Sequence, residues 1–149
     1  MAERDESLGL EGLTAADVMT AAPLTCSVFS TVLEAVMIFR DANCGAVPIL
    51  QEGRPVGILT DRDVALSLAD FPDAIGHPVS QLMKSEVITV SPTDSLARVC
   101  EVLRTKEVRR VLVVDPNGRL VGIIGWADVA PILSDRLMGR IVTENLVAP

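Results

Sequence analysis

The sequence predicts an α/β (α+β) fold built from two tandem repeats, each a small three-stranded sheet packed with helices. Three observations predict it. The chain of 149 residues matches itself at a nearly constant offset. Short apolar runs alternate with amphipathic helical patterns. One strand-to-helix junction occurs twice, as V-G-I-L-T-D-R-D-V-A-L over residues 56–66 and as V-G-I-I-G-W-A-D-V-A over residues 121–130.

Self-similarity comes first. An offset of 64 places Met19 on Met83, Thr25 on Thr89, Ser27 on Ser91, Arg40 on Arg104 and Val47 on Val111. Further on the offset becomes 65, placing Gly57 on Gly122 and Asp63 on Asp128. The extra residue falls in a hairpin turn, where it is tolerated.

Each repeat opens with a short helix, residues 14–20 and 80–84, and Thr14 with Asp17 has capping-box spacing. A short strand follows, residues 24–27 and 87–90. An amphipathic helix then starts near Ser30 and Asp94, with Thr31 and Glu34 again spaced as a capping box. Its apolar face is Val32, Val36 and Phe39 with Leu33 and Met37; the second copy uses Leu96, Val99, Cys100 and Leu103. Two strands come next, 46–50 and 55–60 around the turn 51–54, then 110–114 and 120–124 around 115–119, where Asn117-Gly118 is a strong turn signal. Both faces of these strands are apolar, as expected when helices cover a sheet. The closing helices begin at Asp61 and Trp126, and Pro131 is expected to interrupt and kink the second. The expected units are an acidic tail 1–12, repeats 13–70 and 79–134, a connector 71–78, and a C-terminal helix and tail 135–149. An isolated half of about 60 residues would be marginal, so the halves are expected to share one core.

Composition narrows the function. Hydrophobic residues make up 49% of the chain and mean hydropathy is +0.41. No apolar run approaches the ~18 residues of a membrane span, so the surplus is expected inside the fold or in a homodimer interface. The acidic N-terminus lacks an apolar signal region, which predicts a cytoplasmic location. Cys26, Cys44 and Cys100 lie among apolar neighbours at wide spacings and read as reduced thiols rather than metal ligands. Net charge is −7, which argues against a general nucleic-acid surface. It is uneven: residues 1–17 carry −4 and residues 98–119 carry +3, so an anion could find a local home.

The element order, with G-h-h-T-x-x-D at the last junction of the first repeat, resembles the CBS domain. Two tandem copies look like the Bateman module, and the resemblance covers about residues 13–134. The chain also looks like the small stand-alone bacterial CBS-pair proteins, many of which carry T-D-R-D here. The doubling carries more weight than any single motif. The resemblance implies pseudo-twofold packing of the repeats, a regulatory role without catalysis, and two clefts that each draw on both repeats.

Thr60-Asp61-Arg62-Asp63 has two readings. It is a capping box in which Thr60 and Asp63 satisfy free N–H groups. It is also a candidate nucleotide site, where a helix start offers N–H groups to phosphate. The resemblance implies that Thr60 meets phosphate and Asp63 meets ribose. It implies a better site formed by Thr60, Asp63, Arg62 and Ile58 with Met83, Lys84, Ile88, Val108 and Arg109, adenine lying on Ile88 and Val108. Arg62 and Lys84 could equally be solvated rim residues. The mirror site keeps Asp128 but has Gly125 in place of Thr, with Ile123, Leu24, Cys44, Gly45 and Arg110 around it, and is expected to be weaker. Trp126 could stack on a base or pack at an interface, and Cys44 could have a redox role. His77, the lone histidine, has no partner nucleophile or ligand in the sequence and reads as a connector residue.

The expected function is a ligand-sensing regulatory module that binds AMP, ADP or ATP between the repeats and signals to a protein partner the sequence does not identify. No cofactor, nucleic acid or membrane is expected. The alternative is a ligand-free dimerisation or protein-interaction module in which T-x-x-D only caps a helix. Catalysis has no nucleophile–base pair, metal cluster or P-loop behind it.

Overall fold

A computed structural model describes residues 12–147, with side chains described through Gly139. The acidic tail therefore lies, but for Gly12, outside the described residues. The elements are α1 (Ala15–Val18), β1 (Thr20–Ala21), β2 (Cys26–Ser27), α2 (Val32–Ala42), β3 (Ala46–Gln51), β4 (Arg54–Thr60) and α3 (Asp61–Ser67). After two 3-10 turns at Ala74–Gly76 and Val79–Gln81 come β5 (Thr89–Val90), α4 (Leu96–Thr105), β6 (Arg110–Val114), β7 (Leu120–Gly125) and α5 (Trp126–Val147). None of the described helices is long and apolar enough to cross a membrane.

Two mixed sheets result. The first has the order β2-β3-β4, and the second β1-β7-β6-β5. In each, a parallel pair joins a short strand to the first hairpin strand, Cys26 beside Ile49 and Thr89 beside Leu112. Glu52 (φ 54) and Gly53 (φ 79) both take left-handed conformations, the backbone a tight hairpin demands. In the longer second turn the Asp115 carboxylate accepts from the Asn117 and Arg119 N–H groups at 2.9 and 3.0 Å. Of the capping box expected at Thr31 and Glu34 only one half forms, with Thr31 Oγ1 accepting from Glu34 N at 3.3 Å; the second helix is capped by Ser95, one residue after the expected start, whose Oγ accepts from Arg98 N at 3.1 Å.

The fourth strand of the second sheet belongs to the first repeat. Thr20 and Ala21 of β1 pair with Ile123 and Gly122 of β7. Reciprocally, Lys84 of the second repeat bridges Ile58 of β4, with N···O distances of 2.9 and 3.0 Å. Each repeat's leading segment thus crosses to the other repeat.

The core follows this exchange and corrects the expectation of one shared core. One apolar cluster holds Cys26, Val32, Ala35, Val47, Ile49, Leu59 and Val64, completed by Val79 from the start of the second repeat. The other holds Val90, Leu96, Val99, Leu103, Val111, Val113, Ile124 and Val129, completed by Ala15 from α1. Two small cores, each finished by a residue lent by the other half, make the halves interdependent.

Two local expectations also need correction. Leu33 and Met37 do not face the core; they are 45% and 44% exposed, while Val32 and Ala35 turn inward. Pro131 does not interrupt the last helix, which runs unbroken from Trp126 through Val147. Pro131 deprives the Ala127 carbonyl of one helical hydrogen bond, but Ile132 and Leu133, just beyond it, pack against the second core and hold the turn. The C-terminal helix is therefore the continuation of the second closing helix.

Candidate functional site

At the end of β4 the chain turns directly into α3. Thr60 is extended (φ −110, ψ 159) and acts as N-cap. Its hydroxyl oxygen accepts from Asp63 N at 3.1 Å, and Asp63 Oδ2 accepts from Thr60 N at 3.1 Å. Both halves of the capping box are present, a device that stabilises a helix start by about 1 kcal/mol.

The other free N–H groups of α3 are also satisfied. Asp61 N donates to the Gly45 carbonyl at 3.1 Å, and Arg62 N donates to Asp61 Oδ1 at 2.8 Å. The expectation that this helix start offers N–H groups to phosphate is thereby corrected. The helix is also only seven residues long, so an anion here has to be met by side chains. The Thr60 hydroxyl proton finds no acceptor among the described residues, and Asp63 Oδ1 lies 3.6 Å from Lys84 Nζ. Lys84 is thus held beside the Asp63 carboxylate.

This junction forms one wall of a cavity of about 510 Å³ between the repeats, within the roughly 300–1,000 Å³ usual for small-molecule sites. Ile58, Thr60, Arg62, Asp63, Lys84, Ile88, Val108 and Arg109 all line it. Of the expected better-site residues only Met83 stands apart. Its side chain lies against Gly57, where a Cβ would fall 2.9 Å from Met83 Cγ, so it joins the two halves instead of facing the cavity. Arg110, expected in the mirror site, lines this cavity instead.

Sequence reasoning missed Asp61, Leu66, Glu86, Val87, Glu107 and Leu112 in the lining. Val87 and Glu107 adjoin Ile88 and Val108, which were singled out, and Glu86 lies two positions from Lys84 and Ile88; Glu107 sits at a left-handed φ of 54 where α4 gives way to β6, as Asn43 (φ 50) does after α2. The acidic residues decide the electrostatics. Arg62, Lys84, Arg109 and Arg110 face Asp61, Asp63, Glu86 and Glu107, so the lining is formally neutral. The local positive charge of residues 98–119 does not make a positive cleft.

The mirror junction repeats the backbone but not the side chain. Asp128 Oδ2 accepts from Gly125 N at 2.8 Å, and Trp126 N donates to the Arg109 carbonyl at 3.2 Å, as Asp61 N does to Gly45. Gly125 has no hydroxyl to return the cap. Ile123 is placed beside Thr20 by the β1–β7 pairing. Gly45 lies close to the Arg110 guanidinium. Cys44 turns its Sγ toward the Ile38 carbonyl at 3.9 Å, within its own repeat, and Leu24 is 57% exposed. A Cβ on Gly125 would lie 3.4 Å from the Arg109 carbonyl oxygen and 3.5 Å from Arg110 Cγ, ordinary contact distances. Gly125→Thr is therefore expected to complete the box and raise stability by a few tenths of a kcal/mol, read as a higher urea midpoint at unchanged m.

The remaining titratable candidates stand outside both junctions. Burial pushes the Cys26 and Cys100 thiols up, which keeps them protonated and unreactive near neutral pH. His77 Nδ1 lies 2.7 Å from Gln81 Oε1 and Nε2 3.3 Å from Asp73 Oδ1. The hydrogen bonds to Gln81 and then Asp73 raise its pKa above the ordinary 6.5. A raised folded-state pKa means this contribution is full below pH 6.5 and is lost as pH rises through the raised value. The melting-temperature gap between the native chain and His77→Ala should accordingly be larger at pH 6 than at pH 8.5.

Known proteins share this arrangement. The family model of the CBS domain matches residues 15–70 and 79–135. The chain belongs to the CBS domain family. It is 35% identical to the CBS domain-containing protein YhcV of Bacillus subtilis over 114 residues, 76% of this chain and 81% of YhcV. Hypoxic response protein 1 of Mycobacterium tuberculosis is 31% identical over 131 residues, covering 87% and 91% of the two chains. The crystal structure of the CBS domain pair of protein MJ0100, in complex with 5′-methylthioadenosine and S-adenosyl-L-methionine, superposes with a TM-score of 0.74 at 27% identity, over 83% of this chain and 97% of that one. The chain is accordingly a tandem CBS pair, a regulatory module rather than an enzyme. A structure of Hypoxic Response Protein I holds two coordinated zinc ions; among the described residues of this CBS pair no three His, Cys, Asp or Glu side chains gather to hold a metal.

Proposed function

We propose that this CBS pair senses an adenosine-containing ligand in the Thr60/Asp63 cleft and passes the resulting change in repeat packing to a protein partner. The observation that carries the reading is the cavity itself, which sets a hydroxyl and a carboxylate on one repeat against Ile88 and Val108 on the other. Asp63 can accept from both ribose hydroxyls, and the two aliphatic side chains offer a flat apolar surface to adenine. The MJ0100 pair, with its adenosine-containing ligands, supports this class. The neutral lining favours ligands of low net charge, an order of adenosine and AMP ahead of ADP and ATP. A ligand that contacts both repeats has the differential affinity needed to bias their packing.

The residues assigned to the better site are Thr60, Asp63, Arg62, Ile58, Lys84, Ile88, Val108 and Arg109, and Asp128 with Gly125 marks the weaker one. We also assign the exposed Leu33 and Met37 of α2, one helical turn apart, to a homodimer interface. Light scattering should give twice the chain mass for the native protein and a single chain mass for Leu33→Glu/Met37→Glu.

The ligand-free reading draws on one observation, the complete capping box, which by itself accounts for Thr60 and Asp63. Thermal denaturation with adenosine, AMP, ADP and ATP separates the two. Asp63→Asn keeps an oxygen that accepts from Thr60 N but removes the charge. Stabilisation of the native chain that disappears in this still-folded variant supports sensing. A flat response at millimolar nucleotide supports the cap-only reading.

A further inference from the structure

We infer that Lys84 is an autoinhibitory guard on the Thr60/Asp63 cleft: it stands over the Asp63 oxygen that a ribose hydroxyl would use, and a ligand binds by displacing it. This rests on the nucleotide reading above and adds a regulatory contact to it. Three observations carry it.

The first is the state of the Asp63 carboxylate. Oδ2 accepts from Thr60 N at 3.1 Å and belongs to the cap. Oδ1 accepts no hydrogen bond among the described residues and faces Lys84 Nζ at 3.6 Å, an ion pair rather than a close hydrogen bond. No other cation comes within 4.0 Å of Asp63 among the described residues. The side chain of Asp63 is only 15% exposed, so a ribose hydroxyl and the ammonium compete for the same oxygen.

The second is how Lys84 is delivered there from the other repeat. Its N–H donates to the Ile58 carbonyl at 2.9 Å, and its carbonyl accepts from Ile58 N at 3.0 Å. These two backbone bonds fix the residue beside β4, two positions before Thr60. The side chain itself is 70% exposed, with its charge on a flexible four-carbon stem. The guard is thus anchored through its backbone and opens through its side chain. Opening it also removes an ion pair that joins the two repeats.

The third is that the other junction lacks it. The offset of 64 places Thr20 on Lys84, and Thr20 pairs with Ile123 of β7 as Lys84 bridges Ile58 of β4. The crossing is made equally well by threonine, so the fold does not call for a lysine there. Asp128 keeps its cap to Gly125 N, yet no cation lies within 4.0 Å of it among the described residues. The positive charge is an addition to the Asp63 side alone.

Calorimetric titration of the full chain with adenosine tests this, in the native protein, Lys84→Met and Lys84→Arg, at low and at high potassium chloride. Lys84→Met is expected to bind adenosine about two- to fivefold tighter at low salt, the scale of one exposed ion pair. Lys84→Arg, which keeps the cation, should stay close to the native affinity. Adenosine is uncharged, so salt acts on the guard: shortening the Debye length from about 30 Å at 0.01 M to about 3 Å at 1 M should bring the native chain toward Lys84→Met. An adenosine affinity that is unchanged or weaker in Lys84→Met overturns the guard and leaves the nucleotide reading standing. So does AMP binding that falls in Lys84→Met while adenosine binding holds, which would make the lysine a phosphate ligand. Failure of adenosine and AMP to bind any of the three forms overturns both.

Discussion

Alanine in place of Gly57 or Gly122 is expected to cost about 1–3 kcal/mol of stability, the usual range for overpacking a filled site. A Cβ on Gly57 would fall 2.9 Å from Met83 Cγ and 3.0 Å from the Lys84 carbonyl oxygen. A Cβ on Gly122 would fall 2.8 Å from Met19 Cγ and 3.0 Å from Met19 Cβ. In each case a flexible thioether could swing aside, but a backbone oxygen or a Cβ could not. The two glycines thus mark the places where each repeat's leading segment lies flat on the other repeat's closing strand. Urea denaturation would show a lower midpoint at unchanged m. Gly57→Ala combined with Met83→Ala should lose less than the sum of the two single losses, because the residues touch. Strict additivity would show that Met83 is not what the new methyl meets.

Leu96→Ala is expected to be costlier still, about 2–5 kcal/mol, as for other large-to-small changes in a filled core. Leu96 is fully buried in the second cluster, and its N–H donates to the Leu13 carbonyl at 3.0 Å. The first repeat's α1 is tied to the same place, with Ala15 N on Asp94 O at 2.8 Å and Ala16 N on Pro92 O at 3.0 Å. The cavity should therefore loosen a segment that is distant in sequence. Amide exchange at Ala15 and Ala16 should accelerate in Leu96→Ala more than exchange within β3 and β4. Uniform acceleration across the chain would contradict a second core completed by α1.

The exchange of leading segments is also where the sequence was least legible. β1 is two residues long, Thr20 and Ala21, and no periodicity can be read in two residues. Its partner strand is about a hundred positions away, and pairing at that distance follows from the packing of whole repeats. The elements with strong local chemistry were readable: the hairpin at Asn117-Gly118, the caps at Thr31 and Thr60, the strand-to-helix steps at Asp61 and Trp126. The cleft was partly readable for the same reason. Thr60 and Asp63 announce themselves by spacing, and Ile88 and Val108 are implied by the family resemblance. Glu86 and Glu107 had no motif, and Asp61 carried no assigned role within T-D-R-D, yet with Asp63 they set the cleft's neutral charge. The resemblance placed Arg110 in the mirror site; its backbone does pair with Gly125 there, but its side chain lines the first cleft. The helix start of α3 was misjudged because its N–H groups are consumed by Gly45, Asp61 and Thr60, contacts that depend on where β3 begins.

The neutral cleft and the satisfied helix start together shift the account from phosphate toward the nucleoside. In the proposed reading, ribose recognition by Asp63 is the central requirement. Calorimetric titration of the native chain and of Asp63→Asn with adenosine tests this most directly. The account predicts saturable binding to the native chain and at least a tenfold loss in Asp63→Asn, larger than the loss in Asp128→Asn. Binding that survives Asp63→Asn but is lost in Asp128→Asn would contradict the assignment of the Thr60/Asp63 cleft as the better site.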